Sequence, residues 1–162
     1  MALVPDGFVV PPPLTTEEFR LEPLGPQHNG PDHAAWTTSI DHVRATPGFA
    51  GRDWPAEAMT PEENEADLRE HEADFRDRTG FAYAVLAASS GDYVGCVYFY
   101  PPRSPEFDVD VRSWVRRDLA HVAGGRCAHT ARPGRQSSPD GHIARRRTSC
   151  LPPGGGAGRR GG

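Results

Sequence analysis

Two carboxylates stand in a pattern that could serve proton transfer. Asp108 and Asp110 are two residues apart in the segment 107–115, where apolar and polar residues alternate as in a half-buried strand. Alternate residues of a strand share a face, so both carboxylates are expected on one face of it. A carboxylate beside a cleft can act as a general base. The alternative interpretation is a solvated strand face, where carboxylates are common.

Two further groups could shape a binding site. Tyr98 and Tyr100 are two residues apart in an apolar strand, where phenol groups could line a pocket or could simply pack within the sheet. Arg52 and Trp54 lie in the 14-residue connection 46–59, which is long for a compact domain. Because such loops often carry function, both residues are candidates for substrate binding, with simple packing as the alternative.

The histidines and cysteines do not indicate a metal centre. His28, His33, His42 and His71 lack a metal-binding spacing such as H-E-x-x-H, and His71 is expected to be a partly buried helix residue. The three cysteines are scattered and odd in number, which favours neither a disulfide framework nor a zinc site.

The elements that position these residues follow from periodicity. One strand is predicted at 19–24, followed by one helix that begins near Pro31 and ends at Pro47-Gly48. A second helix begins at Thr60, whose hydroxyl and Glu63 form a capping box, and ends at Gly80. Three strands that look antiparallel follow, at 81–88, 93–100 and 107–115. The prediction is an α/β protein of the α+β type, with a mixed, mostly antiparallel sheet flanked by helices.

This order, and several local stretches, resemble the first half of the GNAT N-acetyltransferases of bacteria. The matching stretches are 19–24, His28-Asn29 with Asp32, Ala35-Trp36 with Ser39, 46–49, Gly51-Arg52 with Trp54-Pro55, Met59-Thr60 with Glu63-Asn64, 95–98 and 111–115. The resemblance covers roughly residues 14–120 and rests on these stretches in combination.

The resemblance implies acetyl transfer from acetyl-CoA to an amine, on a small molecule or a protein. In that family the fourth strand splays from the fifth, and its end pairs with the pantetheine arm; Ser113, Trp114, Val115 and Arg116 match that strand end. It also implies Asp108 or Asp110 as a base, Tyr98 as acceptor-pocket residue or proton donor, and Arg52 and Trp54 at the acceptor site. The Gly-rich loop that takes the pyrophosphate in the family is replaced by Arg117-Asp-Leu-Ala-His121.

The composition changes sharply near residue 117. Residues 1–116 carry 9 Arg against 20 Asp plus Glu, a balance of −11, whereas residues 117–162 carry 9 Arg against 2 Asp, a balance of +7. The second segment has no aromatic residue and many Gly and Pro, so it should be too polar to bury a core. We therefore expect a Pro-rich arm at 1–13, a partial GNAT-like domain at 14–120 and a disordered tail at 121–162. A shifted reading frame in a GC-rich gene would explain the change of composition.

These expectations leave three functions open. The first is an N-acetyltransferase, impaired or inactive because the later helix and strands of its cofactor site are missing from the sequence. The second is a non-catalytic remnant or binding module, and the third a binder of anionic partners through the Arg-rich tail. Nucleic acid is disfavoured as a partner because no aromatic residue is interleaved with the arginines. With no secretory signal and no apolar run long enough to span a membrane, a cytoplasmic location is expected and no membrane partner.

Overall fold

Four strands form one antiparallel sheet in the computed structural model, which describes residues 2–120. The strands are β1 (Phe19–Pro23), β2 (Phe81–Ala87), β3 (Tyr93–Tyr100) and β4 (Asp110–Val115), in the spatial order β1-β2-β3-β4. Three helices pack on one side of the sheet: α1 (Asn29–Thr37), α2 (Ile40–Ala45) and α3 (Pro61–Asp77). The predicted α+β class is confirmed. The predicted disordered tail lies outside the described residues.

The strand register decides which side chains meet the helices. Tyr98 pairs with Arg112, and Tyr100 pairs with Asp110. Opposite residues of an antiparallel pair project to the same face of the sheet. The two tyrosines of β3 therefore lie beside Arg112 and Asp110 of β4 on the face that the helices cover. The next pair on this face, Cys96 and Trp114, is buried in the core. One end of the helix side is therefore apolar, and the other is polar.

The segment predicted as one helix from Pro31 to Pro47 is two helices with a break at Thr38–Ser39. Three hydroxyl residues in a row explain the break, because such side chains compete for backbone groups. The Thr37 hydroxyl donates to the His33 carbonyl (2.7 Å), and the Thr38 hydroxyl donates to that of Ala34 (3.0 Å). The buried Ser39 hydroxyl accepts from the backbone N–H of Arg117 (3.1 Å), which ties the break to the end of β4.

Helix α3 begins as predicted and ends differently. The Thr60 hydroxyl accepts from the N–H of Glu63 (3.2 Å), and the Glu63 carboxylate accepts from the N–H of Thr60 (2.7 Å), so the capping box is confirmed. The end at Gly80 is wrong: the helix stops at Asp77, and Arg78 takes the left-handed conformation at φ 63°. Gly80 is instead buried against the Tyr100 ring, which leaves no room for a side chain.

A buried polar network joins α1, α3 and β3. The Asp32 carboxylate accepts from the Tyr93 hydroxyl (2.7 Å) and the Asn64 amide (3.1 Å). The Asn64 carbonyl in turn accepts from the indole N–H of Trp36 (2.9 Å). Burial raises the pKa of Asp32 and outweighs these hydrogen bonds. Because each buried polar group finds a partner, the network fixes how α3 sits on the sheet.

The Pro-rich arm lies against the side of the sheet opposite the helices. The N–H of Leu3 donates to the carbonyl of Arg78 (2.7 Å), and the Arg78 guanidinium donates to the carbonyl of Phe8. A groove of about 460 Å³ runs between the arm and the apolar side chains of Phe81 and Phe99. Among the described residues, no helix is both long and apolar enough to cross a membrane.

Candidate functional site

A cleft of about 470 Å³ opens on the helix side of the sheet, at the polar end. We call it the aromatic cleft. Four parts of the chain line it: the loop between α2 and α3, α3 itself, β3 and β4. Its lining residues are Phe49, Arg52, Asp53, Trp54, Asp67, His71, Tyr98, Tyr100 and Arg112.

Regular geometry brings these side chains together. On α3, Asp67 and His71 are four residues apart and share one face. On β3, Tyr98 and Tyr100 are two residues apart and face α3. Arg112 lies opposite Tyr98 in the register, and its guanidinium carbon sits 5.5 Å from the centre of the Tyr100 ring. The cleft is thus held by a helix and two strands, which makes its geometry rigid.

The loop contributes an aromatic wall. The Trp54 ring lies 5.5 Å from Phe49, 6.2 Å from Trp36 and 6.0 Å from Trp114, measured between ring centres. These contacts explain why a long connection is fixed on the domain instead of projecting into solvent. An apolar surface of this kind can bind the hydrophobic part of a small molecule.

The wall formed by β4 together with Arg52 of the loop, here called the β4 wall, is basic. The Asp110 carboxylate lies 3.6 Å from Nε of Arg112 and 4.0 Å from Nη2 of Arg52, which are ion-pair distances without a hydrogen bond. The buried Nε of Arg112 has no hydrogen-bond partner among the described residues. Burial lowers the pKa of Arg52, and the nearby cations Arg112 and Arg103 lower it further.

The wall of α3 carries a chain of proton-transfer groups. The Tyr100 hydroxyl lies 3.0 Å from Asp74, to which it donates, and 2.8 Å from Nδ1 of His71. Since its one proton is directed to Asp74, Nδ1 of His71 carries a proton and donates to the Tyr100 oxygen. Nε2 of His71 is left facing Asp67 at 3.6 Å.

Burial changes the acidity of two members of this chain. It raises the pKa of Tyr100, and Asp74 raises it further, so the phenol stays protonated. Burial also raises the pKa of Asp67, partly offset by His71. The arrangement can pass a proton between the aromatic cleft and the carboxylates of α3.

The structure separates the predicted catalytic residues. The expectation that Asp108 and Asp110 share a face of the fourth strand is wrong, because β4 begins at Asp110. Asp108 is exposed and lines the groove beneath the Pro-rich arm. Asp110 contacts the two arginines of the aromatic cleft. The predicted substrate residues Arg52 and Trp54 both line that cleft.

Tyr98 lines the same cleft but is only 8% exposed. Its hydroxyl oxygen accepts from the indole N–H of Trp114 (3.1 Å). Burial raises the pKa of Tyr98 well above that of free tyrosine, so its phenol also remains protonated. Tyr98 therefore packs in the sheet and also borders the cleft. Both possibilities considered from the sequence, sheet packing and pocket lining, apply to it.

The predicted cofactor residues occupy the end of β4 and the residue after it. The Trp114 side chain is 2% exposed and belongs to the core, so only its backbone could meet a cofactor. The Arg116 guanidinium donates twice to Asp118 (3.1 and 2.6 Å) and once to the Tyr93 carbonyl. Within residues 2–120, no strand pairs with the outer edge of β4, and that edge suits an extended ligand such as pantetheine.

The described residues do not form a pyrophosphate cradle. Arg117–Leu119 make a single 3-10 turn after β4. The N–H of Arg117 is bonded to Ser39, and that of Leu119 to the carbonyl of Arg116. Because these N–H groups already donate to Ser39 and Arg116, they are not available to hydrogen-bond a phosphate, which needs free backbone N–H groups. The residues present thus fit the pantetheine arm and not the pyrophosphate.

The sequence analysis missed the roles of three residues that line the cleft and of Asp74, which contacts the lining residue Tyr100. Asp67 and His71 stand at helical spacing and could have been noticed as a charged pair. Arg112 alternates with Asp110 and could have been assigned to the same face. No signal in the sequence links Asp74 to Tyr100, since their contact depends on how α3 packs.

The fold is similar to those of solved acetyltransferases. A ribosomal-protein-S5-alanine acetyltransferase from Vibrio fischeri aligns with a TM-score of 0.53 at 14% identity, over 67% of this chain and 57% of that protein. Two further structures have TM-scores of 0.48 and 0.47: a candidate ribosomal-protein-serine acetyltransferase from Vibrio cholerae and a candidate GNAT-family acetyltransferase from Bordetella pertussis. Their identities are 10% and 18%, over 68% and 70% of this chain and 58% and 65% of those proteins.

At these identities the likeness concerns the fold alone. The fold expected from the sequence is confirmed in that sense by its likeness to the Vibrio fischeri acetyltransferase. The chain spans little more than half the length of the Vibrio fischeri protein. No family model and no curated protein sequence matches the chain.

Proposed function

We propose that this chain is the acceptor-binding part of an N-acetyltransferase, with an amine bound in the aromatic cleft and acetyl-CoA as donor. The observation that supports this most is the chain Asp67–His71–Tyr100–Asp74, in which Tyr100 pairs with Asp110 of β4. The acetyltransferase-like fold supports the reaction class. A cytoplasmic location belongs to the same proposal.

His71 is the residue that would take the proton of the amine. An amine in water is mostly protonated at neutral pH and must lose a proton before or during attack on a carbonyl. With Nδ1 hydrogen-bonded to Tyr100, Nε2 of His71 holds the lone pair that faces the cleft and Asp67. We assign the base to His71 instead of Asp110, whose carboxylate is paired with two arginines, or Asp108, which lies on the other side of the sheet.

Acetyl-CoA supplies an acetyl group that is activated as a thioester. The backbone of Ser113, Trp114 and Val115 would hold its pantetheine arm along the edge of β4, with Arg116 at the strand end. Tyr98, whose phenol stays protonated, is the candidate donor to the leaving thiolate. Because the described residues lack a pyrophosphate cradle, we propose that affinity for acetyl-CoA is weak and activity low.

The proposal is tested by acetyl transfer with the purified full chain. Mass spectrometry would follow products from a panel of amines at millimolar acetyl-CoA. We expect slow product formation, reduced about 100-fold in His71→Gln, as for the loss of a general base. His42→Gln, on α2 and away from the cleft, is the matched control and should retain the rate.

Two results would contradict the proposal. Micromolar affinity for acetyl-CoA in calorimetry would show that the cofactor site is complete, contrary to the weak site proposed here. Absence of product from every amine at saturating acetyl-CoA would reject acetyl transfer. Amine binding without product would then favour the non-catalytic binding module.

A further inference from the structure

The arginines of the aromatic cleft have unused hydrogen-bonding capacity. Arg112 Nε is buried and lacks a hydrogen-bond partner among residues 2–120. The Asp110 carboxylate lies 4.0 Å from Nη2 of Arg52 and 3.6 Å from Nε of Arg112, too far to accept a hydrogen bond from either. Nε itself is closed off from the cleft, but the Arg112 side chain lines it and makes no hydrogen bond among the described residues, so the terminal Nη groups can donate to a ligand there.

Charge is divided between opposite walls of the cleft. The β4 wall holds two guanidinium groups against one carboxylate, whereas the α3 wall holds Asp67 and His71. Both walls meet the Tyr100 ring: the Arg112 guanidinium carbon lies 5.5 Å from its centre, and the His71 ring 6.3 Å. A ligand that complements both walls carries a positive and a negative group a few bonds apart.

We propose that the acceptor is an amine that carries a carboxylate, of the amino-acid or short-peptide kind, whose carboxylate is bound by Arg112 and Arg52. This inference rests on the proposed function, because it identifies the amine as the group directed toward His71. The aromatic wall of Phe49 and Trp54 would hold an apolar side chain of such an acceptor.

A carboxylate fits this wall better than a phosphate does. The planar guanidinium fork pairs with a planar carboxylate through two parallel hydrogen bonds. Asp53, Asp67 and Asp110 also border the cleft or contact its arginines, so a doubly charged group would meet more repulsion than a singly charged one. Two arginines and the Asp110 carboxylate give the β4 wall a net charge of one positive unit, which a single carboxylate of the ligand would balance.

The test compares acids with their amides on the full chain. Calorimetry would measure the binding of L-phenylalanine, L-leucine and their carboxamides near pH 6, where an α-amino group is protonated in every probe. We expect saturable binding of the acids and at least tenfold weaker binding of the amides, because a charge-assisted pair is lost. Equal affinity of acid and amide, or no binding of either acid, would overturn the inference.

Variants assign the effect to the arginines. Arg112→Gln should weaken acid binding at least tenfold and leave amide binding unchanged. Arg69→Gln, which removes an exposed arginine paired with Glu65, should change neither. If Arg112→Gln does not fold, the acid–amide comparison on the unaltered chain still decides the question, and Arg52→Gln provides a second variant.

Acetyl transfer measured in parallel separates the two proposals. Faster acetylation of the acids than of the amides would support both. Equal acetylation of acids and amides would overturn the carboxylate inference while acetyl transfer stands. Tight, Arg112-dependent binding of the acids without any product would support the carboxylate site and reject acetyl transfer.

Discussion

The hydroxyl of Tyr100 lies 2.8 Å from Nδ1 of His71 and 3.0 Å from the Asp74 carboxylate, so one β3 side chain fixes two groups of α3. This contact sets the tautomer of His71, because the phenol proton is directed to Asp74. The lone pair of the imidazole is thereby on Nε2, which lies 3.6 Å from Asp67, another lining residue of the cleft. A residue of β3 thus decides which nitrogen of His71 is available as an acceptor.

Removal of this hydroxyl tests the arrangement. In Tyr100→Phe, His71 loses the acceptor that holds its tautomer, so acetyl transfer should fall about tenfold or more with the KM for the amine little changed. Tyr83→Phe, on the other face of the sheet, is the control and should keep the rate. A larger effect on KM than on kcat would place Tyr100 in substrate binding instead.

The capping box predicts a defined loss of stability. Thr60→Ala removes the hydroxyl that accepts from the N–H of Glu63, so the free energy of unfolding should fall by about 1 kcal/mol. Urea denaturation would measure it, with the exposed hairpin variant Ser89→Ala as the control. An unchanged midpoint for Thr60→Ala would show that this cap does not limit the stability of α3.

Local signals predicted most elements because they depend on neighbouring residues. The apolar strands β2 and β3 and the Thr60 start of α3 are confirmed to within a residue. The break at Ser39 was missed because the apolar spacing of Trp36, Ile40 and Val43 continues across it. Apolar periodicity carries no information on the hydroxyl groups of Thr37 and Thr38, which hydrogen-bond to backbone carbonyls at the break.

The aromatic cleft was predicted only in part for a related reason. The unusual length of its loop indicated Arg52 and Trp54. His71 and Asp74 acquire their roles from a contact with Tyr100 across 29 and 26 positions of sequence. Such a contact depends on how a helix docks on a sheet, which a single sequence does not specify.

The buried amide of Asn64 should be essential to stability. It is 1% exposed, accepts from the Trp36 indole and donates to Asp32. Asn64→Ala leaves the buried Trp36 indole N–H without its acceptor and removes one of the donors to Asp32, so we expect a loss of about 2–4 kcal/mol in the free energy of unfolding. Thermal and urea unfolding would measure it, with the adjacent helix variant Glu65→Gln as the control. A loss below 1 kcal/mol would indicate that the network relaxes around the change.

Asp32 should give stability a definite dependence on pH. Burial raises its pKa in the folded protein, so the folded state holds its proton at pH values where the unfolded state has lost it. The stability contributed by this group is full below about pH 4 and is lost as the pH rises through the folded pKa. Asp32→Asn cannot titrate, so its stability relative to the original chain should improve from pH 4 to pH 7. Urea unfolding across that range would measure the difference in unfolding free energy between Asp32→Asn and the original chain, with the exposed Asp41→Asn as control. A difference that stays constant with pH would contradict the prediction.

The close approach of β3 and β4 depends on Gly95. A Cβ at this position would overlap the Trp114 carbonyl oxygen and lie 2.9 Å from the Val115 Cα, and both are backbone atoms that cannot rotate away. Gly95→Ala should therefore push β4 from β3 and cost more than about 2 kcal/mol, as for overpacking of a tight interior. Because Trp114 also holds the Tyr98 hydroxyl, acceptor binding in the cleft should weaken as well.

Gly30→Ala is the matched control: its Cβ meets nothing within 4 Å, and alanine in α1 should stabilise the fold by about 0.5–1 kcal/mol. Equal unfolding midpoints for the two variants would show that β4 can shift without loss, and the rigid placement of Arg112 and Tyr98 would have to be abandoned.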